Sequence, residues 1–256
     1  MIHPTAIVSD TAIIADDVEI GPYSIVGDNV EIGSGTRIGS HVVINGPTRI
    51  GKDNHIYQFA SIGDDPQDKK YAGEPTSLVI GDRNTIREFC TFSRGTTQDR
   101  GETTMGDDNW IMAYVHVAHD CVIGSNTIMA NNTTLAGHVH VGDWVICGGF
   151  SGAHQFCKIG AHAFLGMYCG INRDVAAYTM VSGQPAVARG INSEGLKRRG
   201  FSADQIRNIK NAYRITFRQG KRKEDAIEEI AALAEGQPEL VPFLESLRSS
   251  ERGLAR

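Results

Sequence analysis

The sequence has little of what marks a secreted, membrane-spanning or disulfide-stabilised protein. Its five cysteines are an odd number without a Cys-x-x-Cys pair, so we expect no disulfide framework and a reducing, cytoplasmic setting. No stretch approaches the roughly 18 apolar residues that a membrane-spanning helix needs. The segment Met1-Ile2-His3-Pro4-Thr5 lacks a basic region followed by an apolar run, so we expect no export signal.

The chain also lacks a strong excess of positive charge. Residues 190–256 carry 13 Lys/Arg against 10 Asp/Glu, a balance of +3, whereas the formal net charge of the whole chain is -5. Residues 1–189 are therefore acidic. Without a larger basic patch we expect no nucleic-acid partner, while the mildly basic tail predicts an acidic protein partner at that end.

A six-residue repeat dominates the chain. From Met105 to Ile171 every sixth residue is apolar or small, and a similar register runs from Ile2 to Ile62. A period of six fits neither a helix nor a plain strand, but it suits a unit that turns a corner after each short strand. Three such units make an 18-residue coil, and coils stacked about 4.8 Å apart would form a triangular prism.

Two polar stretches interrupt the repeat, at about 64–79 and 93–104, and predict loops that leave the prism and wall a cleft. After Ile171 the repeat fades. We therefore predict a β-helix domain over residues 1–189 and a helical domain over 190–256, which we expect to cover the open end of the prism.

Local signals predict three helices in the tail. Ser202 and Gln205 form a capping box for a helix that runs to about Gln219. A second helix should cover Lys223 to Ala234, and a third should follow Pro238.

Six of the nine histidines fall within the tract from Met105 to Ile171, which points to chemistry there. Because residue n should sit beneath residue n+18, His119, Gly137 and Gln155 should share one corner column. A histidine base oriented by Asp120, with a bare backbone N–H for an oxyanion, suits acyl transfer. Histidines shared across a subunit interface would equally suit a zinc hydratase, and a non-catalytic scaffold is a third interpretation.

The motifs around these residues resemble the UDP-N-acetylglucosamine O-acyltransferases, hexapeptide-repeat enzymes that start lipid A biosynthesis. The resemblance spans nearly the whole chain. It rests on His119-Asp120, Leu135-Ala136-Gly137-His138-Val139, His154-Gln155-Phe156, the loop Tyr71-Ala72-Gly73-Glu74-Pro75 and the tail Gly195-Leu196-Lys197-Arg198-Arg199-Gly200-Phe201.

The resemblance implies a left-handed parallel β-helix followed by a C-terminal α-helical domain. It also implies a cytoplasmic homotrimer with active sites between subunits and with no metal or other cofactor. The reaction would transfer a 3-hydroxyacyl group from acyl carrier protein to the glucosamine 3-hydroxyl of UDP-N-acetylglucosamine.

The same resemblance implies a role for each matching residue. His119 would be the general base, Asp120 its orienting partner and Gly137 the oxyanion donor. Asp68, Lys70, His116 and His138 would contact the sugar, and His154 would line the path of the acyl chain. The nucleotide would be bound by Gln155, Asn192, Glu194, Arg198 and Arg199. The carrier protein is acidic, so its docking candidates are Lys197, Arg198, Arg199, Lys210, Arg214, Arg218 and Lys221-Arg222-Lys223.

One departure from the family pattern concerns the acceptor. Where the best-known pattern has a histidine before Arg-Gly-Thr, this chain has Ser93. We hypothesise a changed acceptor preference, toward a 3-amino sugar nucleotide and an amide product. The alternative is a loop substitution without effect on specificity.

A second position bears on the acyl chain, because some relatives have glycine where this chain has Met167. Met167 lies 48 residues beyond His119, which is roughly 13 Å along the axis. An extended acyl chain of roughly ten or eleven bonds would span that distance. The sequence therefore predicts a 3-hydroxydecanoyl-like donor, unless Met167 only packs between coils.

Overall fold

Two- to five-residue strands from successive coils stack into three sheets, which form the faces of a left-handed triangular prism. The computed structural model describes residues 1–256. Strand pairing between coils is parallel, for example Val117 with Leu135 and Leu135 with Ala153. These residues lie 18 positions apart within the six-residue register and are buried, so the repeat found in the sequence is the inward-facing core of the prism.

The first sheet has nine strands, namely β1 Ile7–Val8, β4 Ile25–Val26, β7 Val43–Ile44, β10 Ser61–Asp64, β13 Thr91–Ser93, β16 His116–Val117, β19 Thr134–Leu135, β22 Gly152–Ala153 and β25 Gly170–Ile171. The second has eight, namely β2 Ile13–Ile14, β5 Val30–Ile32, β8 Thr48–Ile50, β11 Ser77–Ile80, β14 Glu102–Met105, β17 Val122–Ile123, β20 His140–Val141 and β23 Lys158–Ile159. The third has ten, namely β3 Glu19–Ile20, β6 Arg37–Ile38, β9 His55–Ile56, β12 Thr85–Ile86, β15 Trp110–Ile111, β18 Ile128–Met129, β21 Ile146–Cys147, β24 Phe164–Leu165, β26 Thr179–Ser182 and β27 Val187–Ile191.

The chain passes from sheet to sheet through tight corners. From Asp108 to Tyr168 every sixth residue has a positive φ, although none of these residues is glycine. The left-handed region costs an ordinary residue roughly 1–2 kcal/mol, so the stacking of neighbouring coils must outweigh that cost at each corner. We name the corners by the sheets they join. The first corner joins the first and second sheets, the second corner joins the second and third, and the third corner joins the third and first.

A column of buried polar side chains runs along the inside of the second corner. The Asn84 side-chain N–H donates to Asn54 Oδ1 at 3.0 Å, and that of Asn109 donates to Asn84 Oδ1 at 2.9 Å. The Thr127 hydroxyl donates to Asn109 Oδ1 at 2.7 Å. Each amide also accepts a backbone N–H from the next coil, so the burial of these polar groups is compensated.

Both polar interruptions leave the prism at the first corner. The irregular segments cover 65–76 and 94–101, shorter than the expected 64–79 and 93–104. The strands extend further because Ser77–Ile80 pairs in register with Glu102–Met105. The two loops therefore stand side by side, beside the corner that carries His119.

The tail forms four α-helices, α1 Ser193–Arg198, α2 Ala203–Arg218, α3 Lys223–Ala234 and α4 Val241–Arg248, with a 3₁₀ helix at Pro238–Leu240. The predicted capping box of Ser202 and Gln205 is present. The short helix α1 was not predicted separately; it begins at the N-cap Asn192. None of these helices has both the length and the apolar character needed to cross a membrane.

The helices pack on the last coil of the prism. Ala176, Ala177 and Tyr178 share a buried cluster with residues of α1 to α4. The C-terminal segment returns to the prism at Asp174, a buried carboxylate that accepts the Ser250 hydroxyl at 2.8 Å. The tail thus covers the end of the prism, as expected for a structure that must protect exposed edge groups.

Candidate active site

The predicted corner column is present at the first corner. The backbone N–H of His138 donates to His119 O at 3.0 Å, and that of Phe156 donates to Gly137 O at 3.2 Å. Stacked coils therefore place His119, Gly137 and Gln155 one above another. A Cβ on Gly137 would lie 2.5 Å from Cε1 of His119, so only glycine leaves room for this imidazole.

His119 is held by a buried carboxylate. Its Nδ1 lies 2.8 Å from Oδ2 of Asp120, and the Asp120 side chain is fully buried. Because a carboxylate only accepts hydrogen bonds, Nδ1 carries the proton, and Nε2 keeps its lone pair. Nε2 has no hydrogen-bond partner within the protein. This tautomer is the one that a general base requires.

Asp120 is itself fixed by two threonines. Thr96 donates its backbone N–H at 2.9 Å and its hydroxyl at 2.6 Å to the carboxylate, and Thr103 Oγ1 accepts the backbone N–H of Asp120 at 2.8 Å. Burial alone would raise the pKa of Asp120, but the hydrogen bonds from His119 and Thr96 hold that pKa below its usual value. The carboxylate is therefore ionised and available to orient His119.

A second histidine stands beside this pair. His138 has its ring centroid 5.0 Å from that of His119, with the rings nearly perpendicular. Its other side stacks on Phe156 at 4.3 Å. Nδ1 of His138 lies 2.7 Å from Oδ2 of Asp99, a residue of the second loop.

Arg94 ties the second loop to the first. Its guanidinium is nearly buried and donates to the Gly63 carbonyl, to the Asp65 carboxylate and, at 3.1 Å, to the Tyr71 hydroxyl. The first loop is turned locally by Asp68, whose Oδ1 accepts the backbone N–H of Lys70 at 3.0 Å. The two loops are thus one cross-linked wall.

A cleft of about 940 Å³ opens between this wall and the first corner. Six of the predicted site residues line it, namely Asp68, Lys70, His119, Gly137, His138 and Gln155. Gly137 is buried, and its backbone N–H has no acceptor within the protein. A free N–H beside the His119 imidazole is the kind of donor that an acyl transfer needs to stabilise a developing oxyanion.

Two other predicted residues lie close by but do not line the cleft. His116 is partly buried on the first sheet, with Nδ1 2.7 Å from the Thr91 hydroxyl. Burial lowers the pKa of His116, and the neighbouring His119 adds to this effect. His154 is directed back to the chain, with Nδ1 3.2 Å from the Gln155 carbonyl.

The predicted nucleotide residues of the tail lie at the second corner instead. Asn192 donates to the His162 carbonyl at 3.1 Å and caps α1. Arg199 donates to Nδ1 of His162 at 3.1 Å and lies over Trp144. Glu194 pairs with Lys197, whereas Arg198 is exposed. Within one chain this group is separated from the cleft, because it occupies a different edge of the prism.

Met167 lies at the third corner. The residue is 61% exposed and precedes Tyr168, whose exposed ring stacks on that of Phe150 with the centroids 5.1 Å apart. Ser93 is buried and does not line the cleft. The structure therefore shows no contact by which Ser93 could distinguish a 3-hydroxyl from a 3-amino acceptor.

Several residues of the site were missed in the sequence. Asp99, Gln98, Lys158 and Glu251 line the cleft, and Thr96 holds Asp120. None of them stands at a repeat position that marks a corner column. Asp99 is 39 residues from His138, and only the course of the second loop brings the two together.

A left-handed β-helix with a histidine–aspartate pair and a free N–H at a corner cleft is typical of the class of hexapeptide-repeat acyltransferases. The family model for "Udp N-acetylglucosamine O-acyltransferase; Domain 2" matches residues 174–255, and the model for bacterial transferase hexapeptide repeats matches residues 11–46 and 102–137.

Individual relatives agree over the full length. The acyl-[acyl-carrier-protein]–UDP-N-acetylglucosamine O-acyltransferase of Thiobacillus denitrificans is 60% identical, and that of Stutzerimonas stutzeri is 56% identical; both alignments cover 100% of this chain and 99% of the relative. The crystal structure of the UDP-N-acetylglucosamine O-acyltransferase of Moraxella catarrhalis superposes with a TM-score of 0.99 at 52% identity, covering 100% of this chain and 99% of the other. The chain belongs to the UDP-N-acetylglucosamine O-acyltransferase family.

Proposed function

We propose that this protein transfers a 3-hydroxyacyl group from acyl carrier protein to the glucosamine 3-hydroxyl of UDP-N-acetylglucosamine, the first step of lipid A biosynthesis. Family membership over the full chain supports the substrates. The observation that carries the mechanism is the His119 imidazole, bonded to Asp120 through Nδ1 and unpartnered at Nε2, directly beneath Gly137.

The proposed chemistry needs only groups of the chain and the two substrates. Nε2 of His119 takes the proton of the sugar 3-hydroxyl as its oxygen attacks the thioester carbonyl. The carbonyl oxygen becomes an oxyanion that the Gly137 N–H stabilises. When the intermediate collapses, the carbon–sulfur bond breaks and the His119 imidazolium returns its proton to the carrier's thiolate. The products are the 3-O-acylated sugar nucleotide and free carrier thiol.

The decisive assay measures acyl transfer from 3-hydroxydecanoyl carrier protein to UDP-N-acetylglucosamine. We expect the wild type to be active, His119→Ala to lose at least about 10²-fold, within the range that a general base supplies, and a chelator to have no effect. His3→Gln is the control and should keep wild-type activity, because His3 is exposed and lies outside the cleft. Full activity in His119→Ala would contradict the base assignment, and loss on chelation would favour the zinc alternative.

We also propose a homotrimer in which each site draws on two chains. The support is the separation of Asn192, Glu194, Arg198 and Arg199 from the cleft within one chain: a threefold assembly would bring a neighbour's second corner to the first corner. Mixing His119→Ala with Arg198→Ala protomers tests this. Mixed assemblies should recover activity that neither variant has alone, whereas a site built from one chain would recover none.

We propose Met167 as the residue that limits acyl-chain length. Met167 is exposed at the third corner, and this exposure supports the proposal. The residue is free to contact an acyl chain bound between this chain and a neighbouring chain of the trimer. Met167→Gly should shift preference from 3-hydroxydecanoyl toward longer donors. An unchanged chain-length profile would refute this role for Met167.

For the acidic carrier protein we propose docking on α2. Lys210 and Arg214 face a shallow recess there, together with Arg207, while Lys221 and Arg222 already pair with Glu229 and Asp225. Lys210→Glu with Arg214→Glu should raise KM for the carrier protein, and raised salt should do the same to the wild type. Salt-independent kinetics would contradict this docking surface.

A further inference from the structure

The site contains a second pair of histidine and carboxylate. Nδ1 of His138 lies 2.7 Å from Oδ2 of Asp99 and 3.9 Å from Oδ2 of Asp120. Since an ionised carboxylate only accepts, Nδ1 of His138 carries a proton and donates it to the bond with Asp99. The other carboxylate within 4.0 Å of that nitrogen is Asp120, whose Oδ2 already orients His119.

We propose that Asp99 is a positioning residue that keeps His138 away from Asp120. Oδ2 of Asp120 already accepts from Nδ1 of His119 at 2.8 Å and from Thr96 through its hydroxyl at 2.6 Å and its backbone N–H at 3.1 Å. A shift of His138 by roughly 1 Å would add a fourth donor to that oxygen. His119 would then compete with His138 for the Asp120 carboxylate, and the His119 imidazole would no longer be held in one orientation.

Two residues of the second loop determine which carboxylate bonds to each histidine. Thr96 anchors Asp120, and Asp99, three residues later, holds His138. Arg94 fixes the same loop to the first loop and the prism. His138 is confined further by Phe156, and its side chain is only 12% exposed. Its nearby alternative partner is therefore Asp120 rather than bulk solvent.

This inference rests on the proposed function for its kinetic test, which is a double-mutant cycle. We expect Asp99→Ala to lower kcat about tenfold, the scale of one hydrogen bond to a charged group, with little change in KM for the sugar nucleotide. In a His138→Ala background the same substitution should cost nothing more, because no ring remains to compete for Asp120. Asp99→Asn, which keeps a carbonyl acceptor, should retain most of the activity.

Thr97→Ala is the matched control, since Thr97 is an exposed residue of the same loop outside the cleft lining. An equal loss from Asp99→Ala with and without His138 would overturn the proposal, and so would a comparable loss from Thr97→Ala.

A crystal structure of Asp99→Ala provides a readout that does not depend on activity. We expect Nδ1 of His138 within about 3 Å of Asp120. If His138 keeps its place, the proposal fails even if the proposed reaction is correct. If His138 moves while the wild type is inactive in the assay, the proposed reaction fails and the positioning role stands.

Discussion

Gly137→Ala should disable the enzyme without unfolding it. The new Cβ would lie 2.5 Å from Cε1 and 2.7 Å from Nε2 of His119. Carbon atoms in contact need about 3.5 Å, so the imidazole must retreat by about 1 Å. Gly137 does not have a positive φ, so alanine is compatible with the backbone, and the damage should be confined to the ring and the free N–H beside it.

A displacement of that size should cost roughly 10²-fold in kcat, since catalytic groups tolerate little misplacement. The assay is acyl transfer at saturating acceptor, with the melting temperature measured alongside. Gly152→Ala is the matched control, because its Cβ would come no closer than 3.7 Å to any neighbour. Wild-type kcat in Gly137→Ala would refute the reasoning that His119 acts from its position beneath Gly137.

Three further predictions concern tautomer, charge and the core. Asp120→Asn should lower kcat by about 10³-fold with little loss of folding, because an amide N–H facing Nδ1 moves the imidazole proton to Nε2; an active variant would contradict the proposed tautomer. Burial, reinforced by Arg199, lowers the pKa of His162 to about 4 from 6.5. The stability that depends on neutral His162 is therefore complete above pH 6.5 and is lost as pH falls toward 4. Between pH 6.5 and 5 the wild type should lose about 1–2 kcal/mol more than His162→Gln, allowing for solvent screening, and parallel denaturation curves would contradict this. Asn84→Ala breaks the buried amide column and should lower the free energy of unfolding by about 2–4 kcal/mol, since partners on both sides are left unsatisfied, whereas the exposed Asn131→Ala should cost less than about 0.5 kcal/mol.

Much of the arrangement of the site could be predicted from the sequence because the prism is periodic. Once the period of six is known, coil stacking requires that residues 18 apart be neighbours, and the column of His119, Gly137 and Gln155 follows. The helices of the tail were predictable for a similar reason. Capping by Ser202 and Gln205 and the turn at Pro238 depend on residues only a few positions apart.

The neighbours of the loop residues cannot be predicted from this 18-residue spacing. Their residues have no repeat position, so where they end up depends on which side chains they meet after folding. The position of Asp99 beside His138 follows from the anchoring of Arg94 and Thr96, not from any spacing. The short helix α1 likewise depends on Asn192 reaching His162 across 30 residues.

The sequence by itself therefore determined the prism, its corners and the stacking of His119 beneath Gly137, because local periodicity and strand stacking set those neighbours. Only the tertiary structure decided which carboxylate bonds to which histidine, that the tail residues predicted to bind the nucleotide occupy a different corner from the cleft, and that Ser93 is buried away from it. Those arrangements arise from long-range packing of irregular segments, whose geometry no repeat encodes.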